Sequence, residues 1–362
     1  MSLLYIVAGI LGLGLLVVVH ETGHLLAARA SGMKVIRFSI GFGPALLRYQ
    51  SKRSGTLYQV AAIPFLAYVQ IAGMNPFEEI DPDDKTSYAN ASLLARAFAI
   101  LAGPLANYLF ASVLFFIYFM VSGVPEPTNQ AKVEVLDGAA RAGQMQSGDV
   151  VVSVDGVKVV DFETMRQQVV KSPGKPLAFE VLRGDQKVTL TITPRDDNGR
   201  GLIGVTAFTK MVPVSAKKAG LLSLELPYRV VRDSIAGLGR IITLQEKADL
   251  KGPVGIVTET SKAAKAGWMQ FVQFLGILSA YLGGFNALPF PALDGGRLAF
   301  LGYEAVTRRK PNSRVEVMVH AFGFVMLLTL IAVVTFADTK VLFNGPAEAT
   351  SAAPAKAPAP KP

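Results

Sequence analysis

Four stretches of this chain run apolar without a single Asp, Glu, Lys or Arg: Leu3 to Val19, Phe98 to Ser122, Trp268 to Leu293 and Val317 to Ala337. Each is close to the ~20 residues a helix needs to cross ~30 Å of hydrocarbon. Core helices of soluble proteins seldom stay uncharged that long. The pattern predicts four transmembrane helices, at 1–26, 98–122, 267–304 and 314–337. The first block lacks the basic leader and small-residue cleavage site of a signal peptide, so it reads as a retained span.

Between the blocks the periodicity changes. The region 27–97 reads as β: Val35 to Ile40 alternates, Ala45 to Gln50 and Thr56 to Ala61 flank a Ser51–Gly55 turn, and Gly41 and Gly43 punctuate the first strand. An apolar hairpin beside a span either dips into the membrane interface or lies on the surface, and the pattern leaves both open. The region 126–208 reads as a small α/β domain. Strands at Val150 to Val154, Leu177 to Leu182 and Val188 to Ile192 surround a helical Phe162 to Val170, with turn signals between them. Residues 209–266 form a connecting segment, partly amphipathic and without an assigned role. The Ala/Pro/Lys tail at 338–362 is too poor in varied apolar residues to pack and is predicted to be disordered.

Composition sharpens this picture in three ways. The chain is 51% apolar but only 17% charged, against roughly 25% charged in an average soluble domain. It has no cysteine, which excludes disulfides and thiolate metal sites. Its net charge of +9 is spread along the chain and gathered partly at span flanks, with no basic stripe interleaved with aromatics, so no nucleic-acid partner is expected. Lys and Arg in short loops stay in the cytoplasm. Arg297, Arg308, Arg309, Lys310 and Arg314 follow the third block, and Arg29, Lys34, Arg37, Arg48, Lys52 and Arg53 follow the first. Both chain ends and the 126–208 domain are therefore expected on the outer side.

The candidate chemistry begins at the inner end of the first span, with His20-Glu21-Thr22-Gly23-His24. On a helix, positions i and i+4 share a face, so the two imidazoles can hold one Zn²⁺ with Glu21 as base toward water. Ionisable residues inside an apolar span are costly and usually functional. A catalytic zinc site commonly has three protein ligands and an open position, so a third is needed. His320 and Asp294 are the candidates, and depth favours Asp294. His20 lies ~26 Å along its helix from Leu3, near the inner face, and Asp294 ends an inward-running third span. Pro289 and Pro291 break that span just before it, and non-helical backbone at this depth must be buried or line a cavity. His320 enters the fourth span at similar depth, as a group near the metal or as a packed side chain.

With these residues assembled, the chain resembles the site-2 protease family of intramembrane metalloproteases, bacterial members above all. The resemblance is carried by His20-Glu-Thr-Gly-His24, Gly41-Phe-Gly-Pro44, Ala102-Gly-Pro-Leu-Ala-Asn107, Gly252-Pro-Val-Gly255 and Asn286 through Leu293-Asp-Gly-Gly296, in family order. Ala139 to Gly156 closely resembles a PDZ domain of the bacterial protease type, which binds peptide ends by strand addition. Its groove would lie against the Phe162 to Val170 helix, with Gly201 to Val205 as part of the rim. Enterobacterial members carry two such domains and this chain has room for one.

The resemblance implies a polytopic α-helical bacterial inner-membrane protein with a membrane-associated β-hairpin region and an inserted α/β PDZ-like domain. It implies zinc ligands His20, His24 and Asp294, base Glu21, and substrate contacts from Asn286 and Asn107. It further implies cleavage of single-pass membrane proteins, of the anti-sigma-factor or remnant-signal-peptide type, after trimming by an upstream site-1 protease. Two rival readings are a metal carrier in the membrane and a catalytically inactive PDZ scaffold. Glu21 argues against the carrier and the intact ligand set against the scaffold.

Overall fold

The computed structural model describes residues 3–75, 77–79, 81–136, 138–197, 199–243 and 251–344. It divides into two compact units, Met1–Tyr118 with Lys217–Pro362, and Phe119–Ala216. In chain order the first unit opens with α1 (Leu3–Ala30), β1 (Val35–Gln50), β2 (Leu57–Ile71) and α2 (Leu93–Ser122).

The second unit then runs β3 (Val124–Pro127), β4 (Val133–Val135), α3 (Ala139–Ala142), β5 (Val150–Val154), β6 (Val157–Lys158), α4 (Phe162–Val170) and β7 (Leu177–Arg183). It continues through β8 (Gln186–Ile192), β9 (Arg195–Asp197), β10 (Arg200–Leu202), β11 (Val205–Ala207) and β12 (Thr209–Val212). The chain returns to the first unit with α5 (Ala216–Ile242), α6 (Pro253–Ala266), α7 (Trp268–Asn286), α8 (Asp294–Thr307) and α9 (Ser313–Asn344).

Among the described residues three helices are long and apolar enough to cross a membrane: Leu3–Ala30, Leu93–Ser122 and Ser313–Thr339. The third predicted block does not form one such helix. It is divided into α7, of 19 residues, and α8, of 14, separated at the prolines. Gln270, Gln273 and Asn286 also make α7 less apolar than α1 and α2. At the C-terminal end the helix runs on to Asn344, so 338–344 is not the disordered start of the tail. The rest of that predicted tail, 345–362, lies outside the described residues.

Small residues bring the helices of the first unit together, as expected where lipid gives no hydrophobic drive to associate. A Cβ on Gly9 would sit 3.0 Å from Ser261 Oγ of α6, and one on Gly12 3.0 Å from Leu275 of α7. Leu16, Leu114, Val272 and Leu275 close the core between α1, α2 and α7. The other face of α1 leaves Leu4, Leu11 and Leu15 exposed, and α9 exposes Phe322, Val325 and Leu328. In water such surfaces would aggregate; in a bilayer they face acyl chains.

The second strand of the β region is longer than its sequence suggested. The Ser51–Gly55 turn is present, closed by Ser51 N–H to the Thr56 carbonyl at 3.0 Å, but β2 continues past Ala61 and Pro64 to Ile71. Proline normally ends a strand reading. The pair folds back on itself. Arg37 to Ile40 lie beside Leu57 to Val60 on one side and beside Gln70 to Ala67 on the other, while Leu47 to Gln50 continue outward along Val60 to Leu57. Gly41 makes the fold-back possible at φ 91°, since a Cβ there would lie 2.8 Å from the Ala61 and Ile63 carbonyl oxygens.

In the second unit the predicted strands and helix form where expected. The sheet order is β6-β5-β7-β8, with Val154, Phe179, Val181 and Ile192 in the core. Asp155 and Gly156, both at positive φ, make the two-residue turn that pairs Val154 with Val157. Asp161 caps α4, accepting the Thr164 N–H at 2.8 Å. β10 lies on α4, since a Cβ on Gly201 would meet the Val169 carbonyl oxygen at 2.1 Å. The unit also extends beyond 126–208, because β3 pairs with β12, Val124 with Val212 through Pro127 with Thr209.

Candidate metal centre

Three side chains, one of them distant in sequence, meet beside the C-terminal half of α1. His20 Nε2 lies 2.9 Å from Asp294 Oδ2, His24 Nε2 lies 3.2 Å from His20 Nε2, and His24 Nε2 lies 3.3 Å from the same carboxylate oxygen. Four ligands ~2.0–2.1 Å from a zinc ion stand about 3.3 Å apart, so the three donors already sit near the edges of a tetrahedral face. Both histidines are 7% exposed. Two buried imidazole nitrogens facing one carboxylate at these separations form a donor set suited to a divalent cation.

The imidazole tautomers support the fit. His24 Nδ1–H donates to the Ala99 carbonyl at 2.8 Å, which leaves the Nε2 lone pair for a metal. His20 Nδ1 lies 3.2 Å from the Asn107 amide through Nδ2, while Asn107 Oδ1 is buried without a partner among the described residues. Turning that amide by 180°, which exchanges its two ends, lets Oδ1 accept His20 Nδ1–H. It satisfies the orphaned oxygen and frees His20 Nε2. Asn107 is 0% exposed, and its amide faces His20 Nδ1.

Glu21 faces the same space but makes a different bond. Its Oε2 accepts the Val69 N–H at 2.9 Å. That bond turns the outer edge of the 67–71 segment toward the glutamate, on the side away from its partner segment 35–40. Asn286 stays apart from the triad. Its amide donates to the Leu282 carbonyl of its own helix at 2.8 Å. His320 also stands outside the donor set, with Nδ1 accepting the Ala292 N–H at 3.1 Å.

Sequence reasoning missed the residues that make room for the centre. Gly103 of α2 faces the histidines with nothing but hydrogen: a Cβ there would lie 2.2 Å from His24 Nε2 and 2.9 Å from His20 Nε2. Gly23, inside the motif, lets α1 touch α2, since its Cβ would lie 2.2 Å from the Ala102 carbonyl oxygen. Both glycines stand in motifs already singled out, but only the packing says what they do. Arg96 at the start of α2 bonds Glu304 of α8 through two nitrogens, one at 3.0 Å. The helix that begins with Asp294 is thus tied to the helix that carries Asn107.

Comparison with known proteins agrees with this geometry. Residues 8–330 match the profile of peptidase family M50. A zinc metalloprotease RasP of Geobacillus kaustophilus is 30% identical over 418 aligned positions, covering 93% of this chain and 98% of its own. A Mesorhizobium japonicum protein carrying a zinc metalloprotease designation is 35% identical, covering 90% of this chain and 96% of its own. One from Nostoc with the same designation is 32% identical over 90% of this chain and 93% of its own.

Proposed function

The chain belongs to peptidase family M50, the site-2 proteases, and is a zinc metalloprotease of the membrane; from that premise we propose that it cleaves single-pass membrane proteins within the bilayer. The observation that carries this reading is the cluster of buried His20 and His24 with half-buried Asp294 beside Glu21, on an apolar helix. In this reading those three side chains are the zinc ligands, and α7, despite its 19 residues, is the fourth span. Both termini and the second unit face outward from a bacterial inner membrane.

Zinc held there supplies Lewis-acid chemistry, polarising a carbonyl and making water easier to deprotonate. The chain's own groups do the rest. Glu21 takes the water proton and delivers it to the leaving amine. Asn107 and the Ala99 carbonyl hold the two imidazoles in the tautomers required. A transmembrane substrate hides its amides in helical hydrogen bonds, so it must unwind before it can be cut. The outer edge of 67–71 lies against the base and, once Val69 N–H releases Glu21, is a template for the extended strand. Asn286 holds substrate backbone by exchanging its bond to Leu282.

The second unit, read as a PDZ-like module, binds a peptide against α4, on a side other than the one β10 covers, and selects substrates trimmed by an upstream site-1 protease. Anti-sigma factors and remnant signal peptides are the substrate types expected. The test is cleavage of a model single-pass protein by the full chain in proteoliposomes, with and without a zinc chelator. Cleavage that survives complete zinc removal, or a zinc-loaded enzyme that cuts no membrane substrate, defeats the proposal.

A further inference from the structure

We propose that His320 is a positioning residue for Asp294, acting through the backbone of the turn before it; this rests on Asp294 being a zinc ligand. The turn is Phe290 to Leu293, closed by Leu293 N–H to the Phe290 carbonyl at 3.1 Å. Pro291 is its second residue and Ala292, at φ 76°, its third. This is the arrangement of a type II turn, whose third position calls for glycine or asparagine because the left-handed backbone crowds a Cβ. Alanine holds that conformation only under constraint, and Asp294 follows two residues later as the first residue of α8.

The constraint comes from α9. The Ala292 N–H donates to His320 Nδ1 at 3.1 Å. Among the described residues His320 Nε2 has no hydrogen-bond partner, so Ala292 is the ring's one polar contact. The imidazole packs 5.6 Å from the Phe300 ring of α8, and a Cβ on Gly296 would sit 3.3 Å from its Cε1. One turn along α9, Gly323 lies against the proline, where a Cβ would be 2.3 Å from Pro291 Cβ. His320 and Gly323 share a face and together grip the turn from one side. Without the acceptor, the Ala292 N–H is left unmet and the alanine relaxes out of the left-handed region. Leu293 and the Asp294 carboxylate then rotate away from His20 and His24.

Three variants of the full chain test this, with zinc content measured against a graded chelator and cleavage measured at limiting zinc. His320→Phe keeps the ring and loses the acceptor; zinc binding should weaken 10- to 100-fold, as for other groups that orient metal ligands. His320→Asn loses the ring but places an amide oxygen near the Nδ1 position, and should stay within about threefold of wild type. Adding Ala292→Gly to His320→Phe should recover most of the loss, because glycine takes the left-handed conformation freely.

If His320→Phe binds zinc normally while His320→Asn fails, the ring is packing and the proposal is wrong. It is equally wrong if both lose zinc alike, or if zinc is retained and only cleavage falls. Should His320→Phe not accumulate, His320→Gln decides: its amide reaches toward Nε2 instead, so it must lose zinc where His320→Asn keeps it. Asp294→Ala runs beside them. Normal zinc in that variant overturns the ligand assignment, whereas zinc lost there but kept in His320→Phe overturns the positioning role alone.

Discussion

Replacing Gly103 by alanine sets two effects against each other. In a helix interior, Gly→Ala ordinarily stabilises by about 1 kcal/mol. Here the new methyl would fall 2.2 Å from His24 Nε2, 2.5 Å from His24 Cε1 and 2.9 Å from His20 Nε2. Non-bonded heavy atoms settle near ~3.5 Å, so His24 must retreat by roughly 1.3 Å. Metal–ligand distances tolerate about ±0.2 Å. Moving α2 outward does not relieve the clash cheaply. The Ala99 carbonyl and Asn107, which orient the two imidazoles, ride on the same helix, and Gly23 is already in backbone contact with Ala102. Zinc affinity should therefore fall by more than about 100-fold, or roughly 2.8 kcal/mol, with cleavage lost in parallel. Metal analysis of the purified variant and thermal melting of both apo proteins make the comparison. The expected result is an apo protein at least as stable as wild type that no longer holds zinc. Full zinc occupancy with cleavage within threefold of wild type would refute the packing argument and the place assigned to the metal.

Glu21→Gln should retain zinc while cleavage drops by ~10²–10⁴-fold, the span of a lost general base; near-normal turnover removes the glutamate from that role. Breaking the shielded Arg96–Glu304 pair, whose side chains are only 10% and 13% exposed, with Arg96→Met should cost about 3–5 kcal/mol of stability in chemical denaturation. The double Arg96→Met/Glu304→Met variant should cost less than the single one, because no charge is stranded. In the second unit, burial works to raise the Asp149 carboxyl, but hydrogen bonds from Arg183 and the Gln146 N–H outweigh it and hold it below the ordinary carboxylate range. The stability that Asp149 contributes is then present above about pH 4 and lost as pH falls through its depressed value. The Asp149→Asn deficit, read by hydrogen exchange of β5 and β7, should accordingly shrink in acid; a deficit constant down to pH 2 counts against the linkage. Because Pro127 and Thr209 are paired across β3 and β12, residues 128–208 can be replaced by an Asn-Gly turn. The shortened enzyme should keep zinc and cut a pre-trimmed substrate; a well-expressed, zinc-loaded enzyme that cuts nothing shows that the second unit is needed for catalysis.

Periodicity and motif spacing carried much of this protein. Uncharged runs marked the membrane helices because a bilayer excludes charge over a fixed length, and that constraint is written locally. The His20–His24 pair was legible because one turn of helix brings i and i+4 together whatever surrounds them. The strands β5, β7 and β8 and the helix α4 were legible for the same reason, since strand-like runs, helical stretches and turn residues are all short-range signals. Depth along two spans that both run inward even favoured Asp294, 270 residues from His24, over His320.

Closeness between elements was beyond that reach. Gly103 stands in a quoted motif, yet only the contact of α2 with α1 makes it the wall of the metal centre. Asn107 also stands in a quoted motif, and only the packing sets its amide beside His20 Nδ1. The second strand of the β region was read only to Ala61, whereas in the structure it runs on to Ile71 through pairing with residues 35–40. That pairing sets Val69 beside Glu21. The third block was read as a single span, but the turn at Phe290 to Leu293 divides it, and what holds that turn is a histidine from another helix. In each case the deciding quantity is a distance of 2–4 Å between residues far apart in the chain. Hydropathy and propensity act along the chain, while steric exclusion and hydrogen bonding act across it, and they become definite only when the helices are packed.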